Sequence, residues 1–263
     1  MPSEVRHLVD RGQTYPLVRL SGVLDAETAP AVRLQLLDVL AAQPEAVVVD
    51  VSDLRPDAVG ALRDLRTETL AWPAAQLLLC GVAETGVDDA AAWQSTGWPV
   101  WPDVDGAFAS LGRPDPGSRL SVDLEPQVGA ARQSRELIAE ACARWGRPDL
   151  AGPGCIVVTE MVNNVISHAK TSMVVLLAAH GAGLSVAVRD WSPVAPTYSG
   201  EPVPVTSYGG RGMLLIDSVA GRWGNLVLAD GKVVWAVLGA DGQSLPPARD
   251  QRNGTSMTDP ARG

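Results

Sequence analysis

Lysine is nearly absent from this chain: of 263 residues only Lys170 and Lys232 carry an ammonium, and arginine supplies the other positive charges. The net charge of −9 and the lack of any basic run disfavour a general nucleic-acid binder, whose affinity rests on cationic contacts to phosphates. Phenylalanine occurs once and tyrosine three times, so aliphatic residues must fill the core, with eight tryptophans added. The three cysteines, Cys80, Cys142 and Cys155, are odd in number and have no paired spacing, which disfavours a disulfide framework. No apolar run reaches the ~18 residues that span a bilayer, and the start, Met1-Pro2-Ser3-Glu4-Val5-Arg6, lacks the order of a signal peptide. The expectation is a soluble cytoplasmic protein without a membrane segment.

With 46% hydrophobic residues, the chain has ample material for two cores. In the first half, strand patterns at Pro16–Val23, Ala46–Val51 and Gln76–Val82 alternate with helical patterns at Ala29–Ala42, Asp57–Ala71, Asp88–Ser95 and Asp103–Leu111. This alternation predicts an α/β unit. The breaker cluster Gly112-Arg113-Pro114-Asp115-Pro116-Gly117-Ser118 marks a boundary. Beyond it, a strand at Arg119–Leu124 precedes helices at Val128–Trp145 and Pro153–Ala169. A hairpin (Met173–Ala179 with Leu184–Arg189), a helix (Arg211–Val219) and a second hairpin (Gly224–Leu228 with Val233–Leu238) complete an α+β sandwich. The division expected is 1–112, a linker at 113–118, 119–240, and a polar tail at 241–263 without order.

Three elements of the second half carry candidate chemistry. Glu160, Asn164 and His168 repeat at one-turn spacing and share a helix stripe. An amide oxygen at Asn164 suits Mg²⁺, and a carboxylate at Glu160 could deprotonate a hydroxyl, although the same stripe also suits a solvated face. Asp190 ends a buried strand, as a turn cap or as an acceptor for an adenine amino group. Tyr208-Gly209-Gly210-Arg211-Gly212 leads into a helix, where backbone N–H groups and Arg211 could meet a phosphate. An ordinary loop before a helix is the other reading.

In order and spacing, Glu160-Met161-Val162-Asn163-Asn164-Val165-Ile166-Ser167-His168-Ala169 resembles the N box of the GHKL ATPase superfamily, in particular the anti-sigma-factor serine kinases. Val188-Arg189-Asp190-Trp191-Ser192-Pro193 resembles a divergent G1 box. Gly209-Gly210-Arg211-Gly212-Met213-Leu214-Leu215-Ile216 resembles the G2 box. The resemblance implies a Bergerat-type ATP site. In it Glu160 is the general base, Asn164 binds Mg²⁺, Asp190 meets adenine, and Gly210, Arg211 and Gly212 lie along the phosphates. Two departures stand out. The family's D-x-G-x-G becomes Asp190-Trp191-Ser192-Pro193-Val194, and Val233 replaces the hydroxyl residue of the last hairpin.

Leu20-Ser21-Gly22-Val23-Leu24-Asp25-Ala26-Glu27-Thr28-Ala29 and Ala46–Leu54 resemble the STAS domain of anti-sigma-factor antagonists. Where that family carries its phosphate-accepting hydroxyl, Ala58 and Val59 stand here. Two functions remain open. One is an ATP-dependent protein serine/threonine kinase and anti-sigma regulator, acting on a sigma factor or a separate STAS-type antagonist. The other is a binding module in which the unphosphorylatable half docks on a degenerate ATP-binding half, in cis or in a homodimer. A histidine kinase fits less well, because no histidine lies on a long helix before the ATP region.

Overall fold

The computed structural model describes residues 4–42, 44–57, 59–60, 62–63, 75–82, 86–192 and 211–239. Two sheets organise them. The first has the order β1 (Val5–Asp10), β2 (Leu17–Leu24), β3 (Ala46–Pro56), β4 (Gln76–Cys80). Strand β1 is antiparallel to β2, whereas β2, β3 and β4 run parallel. The run Ala46–Val51 in β3 is buried throughout, as expected of a parallel strand covered on both faces. Helix α1 (Ala29–Ala41) crosses over from β2 to β3. Its entry turn is fixed by Asp25, whose Oδ1 accepts the Glu27 and Thr28 amides, while the Thr28 hydroxyl donates to the Val23 carbonyl. Helices α2 (Val87–Gln94) and α3 (Val104–Ser110) follow β4. Asp103 caps α3 by accepting the Gly106 amide at 2.7 Å.

Strand β1 has no counterpart in the sequence expectations. Its short pattern, half of it exposed, lacks the alternation that marks a half-buried strand, and its pairing with β2 alone defines it. Of the helix expected over Asp57–Ala71, the Leu62 and Arg63 amides donate to the Val59 carbonyl; Ala58, Ala61 and residues 64–74 lie outside the described residues. So do residues 193–210, which include Gly209 and Gly210, and the tail from 240.

The second sheet is antiparallel throughout, in the order β5 (Arg119–Leu124), β6 (Met173–His180), β7 (Gly183–Asp190), β9 (Lys232–Leu238), β8 (Arg222–Val227). Period-two alternation splits its side chains between two cores. Val186, Val188, Val234, Ala236 and Leu238 pack with residues of α4 (Ala130–Arg144), α5 (Ala151–Asn164) and α6 (Arg211–Val219). Ala187, Leu226, Val233, Trp235 and Val237 face the other way. They belong to one apolar cluster with Val32, Leu36, Leu37 and Leu40 of α1.

Helix α1 therefore lies between two sheets, and no residue from Val32 to Ala41 is exposed. Each large side chain buried there contributes about 1.5–3 kcal/mol. Polar groups stitch the same boundary. An Nη of Arg189 in β7 is 3.0 Å from Asp38 Oδ1 of α1 and 3.2 Å from Asp230 Oδ1. Glu45 Oε1 accepts from the Asp115 amide and the Ser118 hydroxyl, and the Tyr15 hydroxyl donates to the Gly112 carbonyl. The breaker segment thus has fixed partners on the first sheet's side.

Candidate functional site

Helix α5 supplies the first two candidate residues. Val157, Val158, Met161 and Val162 face the core, and the stripe flanking them carries Glu160 and Asn164, both half-buried. The α-helical spacing ends at Asn164. Residues Val165–Ala169 form a wider turn, closed by the Lys170 amide on the Val165 carbonyl at 2.7 Å, and Lys170 has a left-handed backbone (φ 56°). His168 lies in that wider turn and is exposed, so the stripe that grouped it with Glu160 and Asn164 does not extend to it.

Gly212 brings α6 against this stripe. A Cβ at Gly212 would lie 2.7 Å from Glu160 Oε2 and 3.6 Å from Asn164 Oδ1. Only a residue without a side chain lets the backbone approach so closely without moving the carboxylate. The Asn164 amide nitrogen donates to Met213 Sδ at 3.5 Å, which turns the other end of that amide, Oδ1, toward Gly212. Glu160 has no hydrogen-bond or ion-pair partner among the described residues. Burial without such a partner pushes its carboxyl above the ordinary range. The described part of α6 begins at this place. Carboxylate, amide oxygen and helix start thus meet at one corner.

Asp190 sits at a different corner. It ends β7 opposite Met173 and Lys232, beside the exit of the wider turn, where the Trp191 amide donates to Thr171 Oγ1. Asp190 is 2% exposed and Lys232 7%. The ammonium of Lys232 is 2.9 Å from Asp190 Oδ1, and the Ser192 amide donates to the same oxygen at 2.8 Å. Sequence reasoning missed Lys232. The residue is one of only two lysines and opens a strand of otherwise apolar residues, which was the available signal. Arg189, next to Asp190, carries its guanidinium 5.7 Å above the Trp191 ring.

Among the described residues no group of three or more His, Cys, Asp or Glu could enclose a metal ion. The hard oxygens that could share one are Asn164 Oδ1 and the Glu160 carboxylate, and such a pair fits an ion whose other ligands come from a bound molecule. No described helix is long and apolar enough to cross a membrane. Gly210 lies outside the described residues, as does the side chain of Arg211.

No protein-family model matches the chain, and no curated protein matches its sequence. Among solved structures, an anti-sigma factor antagonist from Mycobacterium paratuberculosis is similar at 23% identity and a TM-score of 0.34, covering 42% of this chain and 96% of that one.

Proposed function

We propose that this chain is a nucleotide-binding regulatory protein of the anti-sigma-factor and serine-kinase type, with a STAS-like layer at 1–112 joined through 113–118 to a Bergerat-type ATP-binding layer at 119–240. The observation that carries this reading is the meeting of Glu160, Asn164 and Gly212 at the start of α6. A triphosphate fits there because the helix start offers amides and a favourable dipole. Asn164 would hold Mg²⁺ together with phosphate oxygens, and that ion would neutralise phosphate charge. Among the described residues Glu160 has no cation partner, and burial raises its proton affinity, which suits a group that takes a proton from an attacking hydroxyl. The protein substrate or target in this reading is a sigma factor or a separate STAS-type antagonist.

The test is an equilibrium titration with Mg²⁺-ATP on the wild type and on Asn164→Ala. Saturable binding that weakens about tenfold or more in the variant supports the site. Equal affinities remove Asn164 from it. Given a STAS-type partner, phosphate transfer should be lost in Glu160→Ala; normal transfer would remove its catalytic role.

A second reading, a binding module without catalysis, is favoured by the Asp190–Lys232 pair and by Val59 standing where a phosphate acceptor would be. In that reading the layer around α1 is docked in cis on the outer face of the second sheet. That reading prevails if the Mg²⁺-ATP titration shows no saturable binding.

A further inference from the structure

Lys232 opens β9 directly across the sheet from Asp190. Its ammonium bonds Asp190 Oδ1 at 2.9 Å and the Ser192 carbonyl at 3.2 Å. The Ser192 amide returns to Asp190 Oδ1 at 2.8 Å. The backbone is equally close: a Cβ at Gly231 would lie 2.1 Å from the Asp190 carbonyl oxygen and 2.8 Å from Trp191 Cα. One ammonium thus ties the end of β7, the residues after it and the start of β9 into a single buried knot.

A carboxylate that reads a base must offer its oxygen to a neutral amino group. Asp190 Oδ1 already has two donors, and one of them bears a full charge. Charge-assisted bonds are roughly twice as strong as neutral ones. A base amino group that displaced the ammonium would leave a buried lysine with the Ser192 carbonyl but no counter-charge, which is strongly unfavourable. Among the described residues, the Glu160–Asn164–Gly212 corner has no such internal cation.

We infer that Lys232 takes the place of the base's amino group on Asp190, so that nucleotide is held by its triphosphate with little discrimination between adenine and guanine. This inference rests on the nucleotide-site reading proposed above. Sites built to hydrogen-bond a ligand group can reject an analogue lacking it by factors of ~10⁴, and this site forgoes that selectivity.

The experiment is a pair of titrations of the full chain, with Mg²⁺-ATP and with Mg²⁺-GTP. The expected result is two dissociation constants within about threefold of each other, a difference of under ~1 kcal/mol. A preference for ATP above about tenfold in the wild type overturns the inference and leaves the nucleotide site standing. Absence of saturable binding by either nucleotide overturns the nucleotide-site reading, and this inference with it. Lys232→Met should release Asp190 and raise the ATP-over-GTP ratio about tenfold or more, and an unchanged ratio in a folded variant counts against the inference. Should that variant not fold, the wild-type ratio still decides. Lys232→Met combined with Asp190→Leu removes both charges and the acceptor oxygen, should fold, and should bind both nucleotides alike; a strong ATP preference in it counts against the inference.

Discussion

The two corners of the candidate site are built on opposite terms. At Glu160, Asn164 and Gly212, polar groups are half-buried and the carboxylate lacks a cation partner among the described residues. At Asp190 the carboxylate is more deeply buried, yet Lys232 and the Ser192 amide satisfy it. Both corners bury a negative charge, and among the described residues only the second supplies a positive one. The first is disposed to gain from an added cation. The second has its cation built in, so binding there must compete with the fold itself.

The largest expected effect tests the closed corner. Lys232→Met leaves Asp190 buried without its ammonium, which should cost about 3–5 kcal/mol in urea unfolding. Adding Asp190→Asn should recover most of that loss. A single variant as stable as wild type would mean that the pair contributes nothing, and the contrast between the corners would collapse.

Gly212→Ala probes the open corner. The new methyl meets the far end of a flexible glutamate, so stability should change by less than about 1 kcal/mol. Displacing Glu160 Oε2 should still weaken Mg²⁺-ATP about tenfold, near 1.4 kcal/mol. Unchanged affinity would place the phosphates elsewhere.

The smallest effect has the opposite sign to the first. Burial raises the Glu160 pKa in the folded state. The residue's contribution is therefore fully present below the unfolded carboxylate pKa and is lost as pH rises through the folded value. Glu160→Gln should match wild type in acid and be slightly more stable at neutral pH, with the gap opening just above the ordinary carboxylate range. Thermal melts across that range measure it. A variant less stable at neutral pH would reveal a cation partner for Glu160.

Local pattern made most elements readable. The strand at Arg119–Leu124 falls where its alternation places it, and α4 begins and ends within two residues of its periodic run. The one-turn spacing of Glu160 and Asn164 sufficed to align them, because it depends only on helix geometry. His168 escaped that rule through a wider turn which no residue type announces. The Asp190–Lys232 pair joins residues 42 apart, so it existed only once β7 and β9 were in register. The same holds for β1, an edge strand defined by its neighbour. It holds also for the wide apolar surface of α1, whose second contact is a sheet formed about 150 residues later.

That placement of α1 bears on how the molecule comes apart. Because its leucines share one apolar cluster with Trp235 and Val237, neither sheet can lose its structure without wetting the other. A chain starting near Arg119 would present Ala187, Leu226, Val233 and Trp235 to solvent, a surface prone to self-association. Denaturation should therefore proceed as one cooperative event, with tryptophan fluorescence and far-ultraviolet dichroism tracing the same curve. The helix that links two strands of the first sheet thereby serves as the keel of the whole molecule.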